Sequence, residues 1–319
     1  MRVAKKELGP ALLELVGAVE HAIGDREAPL LVGCSGGADS LSLVAATAIV
    51  ARRRGLPARA VVIDHGLQPD SAEVAAKAAS RAGKLGLEAD VVAVHVGTDG
   101  GPEAAARTAR HEALAAVAEE TGALVLLGHT LDDQAETVLL GLARGSGARS
   151  LRGMAPERDC FVRPFLGVRR KLTEAACAEA GTKYWDDPHN SDDAYARVRI
   201  RRKVLPLMED KLGPGIAESL ARTATMLRDD SELLERLSQQ AVPDDQLTAE
   251  LPLTMLPDEP ALRRRVLRRW LVERGAEQPA YRQVLAVDSL ISDWHGQKWV
   301  EVPGLRVARR ENRLLVLPD

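Results

Sequence analysis

The chain has few of the residues that build redox and metal sites. Its 319 residues include three cysteines, Cys34, Cys160 and Cys177, and none of them lies in a Cys-x-x-Cys pair. This spacing argues against a structural zinc site, an iron–sulfur cluster and a disulfide framework. Because unpaired cysteines are typical of a reducing compartment, we expect a cytoplasmic location.

Long hydrophobic runs are also missing. No stretch approaches the roughly 18 apolar residues that a membrane-spanning helix requires. Near the N-terminus, Arg2, Lys5 and Lys6 are soon followed by Glu7 and Glu14, so this segment predicts an amphipathic helix and neither a signal peptide nor an anchor. We therefore expect no association with a membrane.

The overall charge is too small to indicate a partner. Lysine and arginine number 43, aspartate and glutamate 46, and the formal net charge is −3 at pH 7. A nucleic-acid partner would therefore have to meet a local basic face. Apolar residues make up 45% of the chain, which is normal for a folded protein, and a length of 319 residues predicts two domains.

Two common nucleotide-binding motifs, Gly-x-x-x-x-Gly-Lys-Ser/Thr and Gly-x-Gly-x-x-Gly, do not occur, which argues against a P-loop kinase and a dinucleotide oxidoreductase. A different glycine turn is present. An apolar run over residues 30–33 and Cys34 are followed by Ser35, Gly36, Gly37, Ala38, Asp39 and Ser40. A helical pattern comes next, so the turn lies at a helix N-terminus, where unpaired N–H groups attract phosphate.

Asp39 makes this turn more specific. A carboxylate beside a phosphate site usually implies a divalent cation between the two, so the turn predicts a nucleotide held with Mg²⁺. An ordinary turn whose serine and aspartate side chains cap the helix is the alternative.

Apolar strands and helical patterns alternate over residues 28–128. Strands are expected near residues 30–34, 61–63, 91–96 and 123–127, which predicts an α/β domain with a parallel sheet and helices on both faces. Ligands of such sheets bind at the carboxyl ends of the strands. Asp64 and His65 follow the second strand, where they predict either part of an adenosine pocket or a capped turn.

The fourth strand leads into Gly128, His129, Thr130, Leu131, Asp132 and Asp133. Thr130 and Asp133 have the spacing of a capping box. Capping does not account for His129, which lies four residues before Asp133, where an imidazole and a carboxylate can serve proton transfer or metal binding. Glycines at residues 145 and 147 predict a helix end and a mobile loop.

Two stretches of the chain are basic. Arg107 and Arg110 share a helix face that suits a phosphate or a carboxylate, although i,i+4 pairing of Arg107 on a solvated face is the alternative. Between residues 197 and 203 five cations lie close to Tyr184, Trp185 and Tyr195, a combination typical of RNA contacts. Pairing with the aspartates of residues 186–193 accounts for part of this charge.

Taken in order, these motifs resemble the tRNA(Ile)-lysidine synthetases, which belong to the N-type ATP pyrophosphatases, or PP-loop proteins. The resemblance is collinear over about residues 30–206. It rests on the turn at residues 35–40 and on residues 64–67, 103–110, 128–147, 163–164 and 187–201. The length resembles the shorter form of the family.

The resemblance implies a two-step reaction on the wobble cytidine of tRNA(Ile) with a CAU anticodon. ATP adenylates the C2 oxygen and releases pyrophosphate, and the amine of free L-lysine then attacks C2 and expels AMP. By resemblance, the catalytic residues are Asp39, Arg110, His129 and Asp133, with Asp39 also holding Mg²⁺. The implied ATP site comprises Ser35, Gly36, Gly37, Ala38, Asp39, Ser40, Asp64 and His65.

The same resemblance assigns a further set to contacts with tRNA and substrate, namely Glu103, Arg107, Arg110, Glu136, Arg163, Tyr195, Arg197, Arg199 and Arg201. A homodimer is one of the states that we consider. A thiolase-type PP-loop enzyme that modifies tRNA and a non-catalytic tRNA-binding protein are the alternatives. The thiolase requires paired cysteines, and the binding protein gives no reason for Asp39, His129 and Asp133 to occur together.

The pattern changes after residue 212. We expect a catalytic domain over residues 1–212, followed over residues 213–319 by a linker helix and a smaller domain of helices and short strands that binds tRNA. Helices are expected at residues 216–240, 260–274 and 279–292, and strands near 298–302, 305–310 and 313–317. The arginines of residues 263–269 indicate either a solvated amphipathic helix or a helix that faces tRNA.

Overall fold

The structure is a computed structural model that describes residues 8–66, 70–97, 101–145, 147–186 and 192–317, without the side chains of residues 102–104, 148 and 149. The chain forms two compact units. The first comprises Met1–Leu140 and Met154–Ala221, and the second Gly141–Gly153 and Arg222–Asp319. Each unit has its own sheet and its own apolar core.

A six-stranded sheet in the order β3-β2-β1-β4-β6-β5 forms the centre of the first unit. Its strands are β1 Leu30–Gly33, β2 Ala58–Asp64, β3 Ala89–Ala93, β4 Leu124–Leu127, β5 Glu157–Arg158 and β6 Phe161–Val162. Leu30 pairs with Ala58 on one side and Leu124 on the other, and every neighbouring pair is parallel except β5 with β6. The predicted α/β fold with a parallel sheet is confirmed.

Alternate residues of the central strand enter two different cores. Leu30 and Val32 pack with the helices on one face, whereas Leu31 packs with Leu114 on the other. This pattern follows from the two-residue period of a strand and explains why β1 is buried along its whole length. The strands therefore supply a rigid edge for the segments that follow them.

Helices cover both faces of this sheet. Up to residue 143 they are α1 Pro10–Ile23, α2 Ala38–Arg54, α3 Ser71–Leu85, α4 Pro102–Thr121 and α5 Leu131–Ala143. Later in the chain come α7 Arg170–Glu179, α8 Ala196–Arg199, a turn of π-helix at Ile200–Val204 and α9 Leu205–Leu212. The second unit holds α6 Gly147–Leu151 and most of α10 Ile216–Ala241. The sequence analysis did not predict α7, which lies against α1 and α2.

The second unit contains a four-stranded antiparallel sheet in the order β7-β10-β9-β8. Its elements are β7 Glu250–Pro252, α11 Pro260–Glu273, α12 Tyr281–Ser292, β8 Val300–Val302, β9 Leu305–Arg310 and β10 Arg313–Leu317. Trp270 is fully buried in the core, and its indole N–H donates to the carbonyl of Thr248 at 2.8 Å. The helices and strands predicted for this part are confirmed, with small shifts at their ends.

Several arginines of α11 have partners inside the second unit. The buried carboxylate of Asp288 on α12 accepts hydrogen bonds from Nε of Arg263 at 2.7 Å and from Nε of Arg264 at 2.8 Å. Arg269 contacts the carboxylate of Asp244 at 2.5 Å. These contacts join α11 to neighbouring elements, so part of its positive charge is structural.

None of the helices in the described residues is both long enough and apolar enough to span a membrane.

Candidate functional site

The turn between β1 and α2 is held open by its own backbone. Gly36 has φ +83°, and a Cβ there would lie 3.0 Å from the Cβ of Ala78, so any side chain at this position would be strained. The hydroxyl of Ser40 donates to the carbonyl of Gly37 at 3.0 Å and accepts from the N–H of Ser35 at 3.1 Å. Gly37 is the N-cap of α2 and provides no side-chain cap, so the first N–H groups of the helix are available to an anion.

Gly128 brings the end of β4 against the start of α2. A Cβ at this position would lie 2.9 Å from the carbonyl oxygen of Asp39 and 3.2 Å from the backbone nitrogen of Ser40. Two motifs that are 88 or more residues apart in the sequence therefore touch through their backbones. His129 and the start of α5 follow immediately after this contact.

Asp39 is held by two side chains of α7. Oδ1 of Asp39 accepts a hydrogen bond from Oγ1 of Thr173 at 2.5 Å, and Oδ2 lies 3.3 Å from Nε of Arg170. Burial raises the pKa of Asp39, with a smaller contribution from Asp133, while Arg170 and Thr173 act in the opposite direction. The sequence analysis missed both α7 residues, whose one signal is their spacing of three on a single helix face.

Asp133 both caps α5 and joins a network of charged groups. Its Oδ2 accepts from the N–H of Thr130 at 2.9 Å and from the Thr130 hydroxyl at 3.0 Å, and its Oδ1 accepts from Arg170 at 2.7 Å and Arg201 at 3.3 Å. Burial opposes ionisation, but Arg170, the Thr130 N–H and further cations outweigh it and lower the pKa of Asp133. The carboxylate is therefore ionised at neutral pH.

Glu136 lies one turn further along α5 and is completely buried. Its carboxylate contacts Nε and Nη2 of Arg201 at 2.7 and 3.1 Å, Nη1 of Arg170 at 3.3 Å and Nε of Arg197 at 3.7 Å. Arg197 also donates to the hydroxyl of Thr137 at 2.9 Å. Two arginines of the basic stretch thus turn toward α5.

The rest of this stretch is more exposed. Arg199 lies at the surface and donates to the carbonyls of Asp193 and Ala194, both at 2.7 Å. Tyr195 is 37% exposed, and Lys203 is exposed beside Asp193. The stretch therefore presents an outer basic surface, whereas Arg197 and Arg201 serve the interior. Residues 187–191, which the sequence analysis also singled out, lie outside the described part of the chain.

Two histidines at the strand ends carry buried ring nitrogens that lack a partner. Within the described residues, Nδ1 of His65 after β2 and Nδ1 of His129 after β4 make no hydrogen bond. Burial lowers the pKa of both rings, with Arg110 acting in the same direction, and that of His129 falls to about 3 against the opposing charge of Asp133. Both rings are neutral at pH 7, and each has a hydrogen-bonding position to offer a ligand.

Arg110 on α4 lies beside the end of β1, where its Nη2 is 3.6 Å from the position of a Cβ on Gly33. Burial lowers the pKa of Arg110, as does the neighbouring charge of Arg107. No described carboxylate forms an ion pair with this guanidinium. Arg163, buried after β6, donates to the carbonyl of Ala155 at 2.9 Å. The side chain of Glu103 lies outside the described residues.

Asp64 has a local role in the structure. Its Oδ1 accepts a hydrogen bond from the N–H of Gly66 at 3.0 Å, as in a capped turn. This contact leaves the neighbouring ring of His65 as the part of the motif with an unused buried nitrogen.

The site therefore has two halves of different charge. One half contains Arg110, His65 and His129 at the strand ends, and it favours negative charge. The other contains Asp39, Asp133 and Glu136, compensated by Arg170 and Arg201. No group of three histidine, cysteine or acidic side chains within the described residues is arranged to hold a metal ion. Any divalent cation would therefore need further ligands from a bound molecule.

Comparison with known families agrees with this arrangement. A PP-loop domain matches residues 12–208, and a TilS substrate binding domain matches residues 255–315. The U34-tRNA thiolase NcsA from Methanococcus maripaludis has a TM-score of 0.56 at 20% identity, covering 68% of this chain and 79% of that one. At this identity the likeness concerns the fold alone.

Two bacterial relatives are much more similar in sequence. The tRNA(Ile)-lysidine synthase of Leifsonia xyli subsp. xyli is 50% identical over 297 residues, which cover 91% of this chain and 90% of that protein. The same enzyme of Mycolicibacterium paratuberculosis is 52% identical over 294 residues, covering 90% and 89%. With half of its residues identical over nine-tenths of its length, and with matches to both domains, the chain belongs to the tRNA(Ile)-lysidine synthase family.

Proposed function

We propose that this chain is a ligase that uses ATP to join L-lysine to C2 of the wobble cytidine in tRNA(Ile) with a CAU anticodon. The products are lysidine, AMP and pyrophosphate. The observation that carries the proposal is the contact at Gly128, where the phosphate-binding turn of α2 meets the segment of His129 and Asp133. A nucleotide on the turn then lies next to groups able to orient a second substrate.

In the first step the C2 oxygen of cytosine attacks the α-phosphate of ATP, and pyrophosphate leaves with the electron pair of the broken bond. The N–H groups at the start of α2 hold the phosphates, and Gly36 keeps the turn open for them. Arg110, which no described carboxylate neutralises, supplies positive charge beside the strand ends. The unused ring nitrogens of His65 and His129 are available to the nucleotide and the cytosine.

Asp39 suits a magnesium ion that arrives with the nucleotide. Mg²⁺ is usually held by one or two carboxylates together with phosphate oxygens, which matches a carboxylate beside a phosphate turn. When bound, the ion would neutralise the charge that develops on the departing pyrophosphate. We therefore propose Asp39 as its principal protein ligand.

In the second step the amine of lysine attacks C2 and AMP leaves. A free lysine amine has a pKa of about 10.4, so it enters the site protonated and must lose a proton to water before it attacks. The ionised carboxylate of Asp133 is suited to hold this cation. A pKa of about 3 makes His129 a weak base, so we assign it the role of orienting the cytosine rather than removing the proton.

The second unit and the outer part of the basic stretch would hold the remainder of the tRNA. The match to a substrate binding domain over residues 255–315 supports this role. The exposed positions of Arg199 and Lys203 support a contact with the phosphate backbone. A tRNA substrate supports a cytoplasmic location, while the homodimer remains a prediction.

The thiolase alternative has less support. Cys34 and Cys177 are buried in the core on one face of the sheet, and Cys160 lies with the core on the other face. Burial raises the pKa of all three thiols, which keeps them protonated and poorly nucleophilic. This arrangement offers no pair of reactive sulfur atoms for thiolation.

The decisive experiment incubates CAU-anticodon tRNA(Ile) with ATP and labelled lysine. We expect label in the RNA together with one AMP released per lysine incorporated. The His129→Ala variant should lose incorporation and remain folded, and His21→Ala on α1 serves as its control. RNA that stays unlabelled with the unmodified protein would contradict the proposal. Full activity of His129→Ala would contradict the role of His129.

A further inference from the structure

The guanidinium of Arg170 contacts three carboxylates. Its Nη2 lies 2.7 Å from Oδ1 of Asp133, its Nε 3.3 Å from Oδ2 of Asp39 and its Nη1 3.3 Å from Oε1 of Glu136. The backbone N–H of Arg170 also donates to Oδ2 of Asp132 at 2.8 Å. The side chain is 19% exposed. Although burial opposes its charge, the surrounding carboxylates raise the pKa of Arg170 further, so it is always a cation.

The three carboxylates depend on Arg170 to different degrees. Glu136 also has two contacts with Arg201, and Asp133 has Arg201 and Thr130. For Asp39, Arg170 is the cation in contact within the described residues. Arg170 thus balances the charge of Asp39. A magnesium ion that binds Asp39 would have to displace Arg170.

Thr173 and Arg170 divide the carboxylate of Asp39 between them. Thr173 bonds to Oδ1, and Arg170 contacts Oδ2. If the guanidinium moved away, the hydroxyl would keep the carboxylate in place and leave Oδ2 open to a metal ion. A guanidinium that leaves a carboxylate finds an equivalent partner in phosphate, whose oxygens match the same fork of N–H donors.

We propose that Arg170 is an exchangeable counter-ion that holds Asp39 and Asp133 before nucleotide binds and passes to the phosphates of ATP when Mg²⁺ takes its place on Asp39. This inference rests on the proposed use of ATP and Mg²⁺ at the site. The exchange breaks and forms no covalent bond. It couples the two ligands, because metal alone would leave a partly buried guanidinium beside a divalent cation, whereas the phosphates give that guanidinium a new partner.

The test measures binding of Mn²⁺, a paramagnetic substitute for Mg²⁺, to the full chain without nucleotide. Removing a positive charge within about 4 Å of the ion should strengthen its binding at least about tenfold in Arg170→Met, even at an effective dielectric constant of about 20. Arg169→Met is the matched control, because the adjacent arginine contacts Asp132 and Glu218 instead. Equal Mn²⁺ affinity in the Arg170→Met and Arg169→Met variants would overturn the proposal.

A second measurement addresses the phosphate half of the exchange. Pyrophosphate binding in the presence of Mg²⁺, followed by calorimetry, should weaken about tenfold in Arg170→Met, the loss expected for one charge-assisted hydrogen-bonded contact, and stay unchanged in Arg169→Met. Arg170→Lys retains the charge, so it should exclude Mn²⁺ as the unmodified protein does. Tight Mn²⁺ binding by Arg170→Lys would show that charge is not what excludes the metal.

The unmodified protein gives a test that does not depend on a variant that folds. By linkage, pyrophosphate must raise the affinity of the protein for Mn²⁺ by the same factor by which Mn²⁺ raises the affinity of the protein for pyrophosphate. We expect this factor to be at least about tenfold, after correction for the complex that Mn²⁺ and pyrophosphate form in free solution. Absence of this coupling would refute the exchange. Failure of lysine incorporation with the coupling intact would refute the proposed reaction and leave the exchange standing.

Discussion

At the scale of single residues, the proposed phosphate-binding turn depends on one glycine more than on its neighbour. Gly36 has a positive φ, and a Cβ at this position would lie 3.0 Å from the Cβ of Ala78. Gly37 has φ −78°, and its nearest contact would be 3.7 Å away. The conformation of the turn therefore requires a glycine at position 36 and does not require one at position 37.

We expect Gly36→Ala to lower the free energy of unfolding by about 1–3 kcal/mol, because a side chain there is strained in φ and overlaps Ala78. Gly37→Ala should change it by less than about 0.5 kcal/mol. Chemical denaturation of the protein without nucleotide measures both. Equal effects of the two substitutions would show that the conformation of Gly36 does not limit the turn.

Residue identities in the site were predictable where they follow strands, and unpredictable where another helix supplies them. Asp39, His129 and Asp133 were predicted to lie together because each belongs to a segment that follows a strand of a parallel sheet, and such strand ends meet at one edge. Arg170 and Thr173 reach Asp39 across 131 and 134 positions of the chain. No local pattern encodes that contact, because it arises when α7 packs on α2.

At the scale of elements, the buried carboxylate of Asp288 joins α12 to α11. It is 2% exposed and receives both Arg263 and Arg264, so its removal would leave two arginines without their shared partner. The sequence pattern allowed the arginines of α11 to be either solvated or turned toward RNA. It did not reveal Asp288, because an isolated acidic residue in a helical pattern is usually on the surface.

Asp288→Ala should therefore destabilise the second unit by about 3–5 kcal/mol, the usual loss when one partner of a buried ion pair is removed. Glu250→Ala, which removes the exposed ion pair with Arg313, provides the control and should cost less than about 1 kcal/mol. Thermal unfolding followed by circular dichroism compares the two. A loss below about 1 kcal/mol for Asp288→Ala would mean that the arginines find other partners.

Long helices were predictable because their apolar residues recur with a clear period, and the parallel strands because they form short apolar runs bounded by turn residues. The β5 and β6 hairpin was not, since strands of two residues are too short to show alternation. The turn of π-helix at Ile200–Val204 was also missed, although it turns Arg201 toward Glu136 while Lys203 stays exposed. These irregular elements shape the basic stretch around the site.

At the scale of the whole molecule, charge is distributed so that a nearly neutral chain can still meet RNA. The carboxylates near the site are compensated by Arg170, Arg197 and Arg201, while Arg199 and Lys203 remain at the surface. Net charge alone gave no indication of this division. The sequence also cannot show that residues 141–153 group with residues 222–319, because a linear boundary does not describe a unit made of two segments.

Reversing charge in Arg199→Glu/Lys203→Glu should weaken tRNA binding and lower the slope of log affinity against log salt by about 1 for each phosphate that the protein no longer neutralises. ATP binding should be unchanged. The matched control is Arg53→Glu/Arg59→Glu, which alters two exposed arginines at the end of α2 and the beginning of β2, remote from the turn. Filter binding at several salt concentrations decides, and equal weakening in both double variants would indicate a non-specific charge effect.

Trp185 lies beside the turn between β1 and α2, where its backbone N–H donates to the carbonyl of Gly36 at 2.9 Å. The other three of the four tryptophans, at positions 270, 294 and 299, belong to the second unit. The first unit therefore carries a single indole fluorophore, attached to the loop that we propose binds nucleotide. Replacing the exposed Trp294 and Trp299 with phenylalanine would leave Trp185 and the fully buried Trp270, so a change in emission when that loop is occupied would come from Trp185, without any added dye.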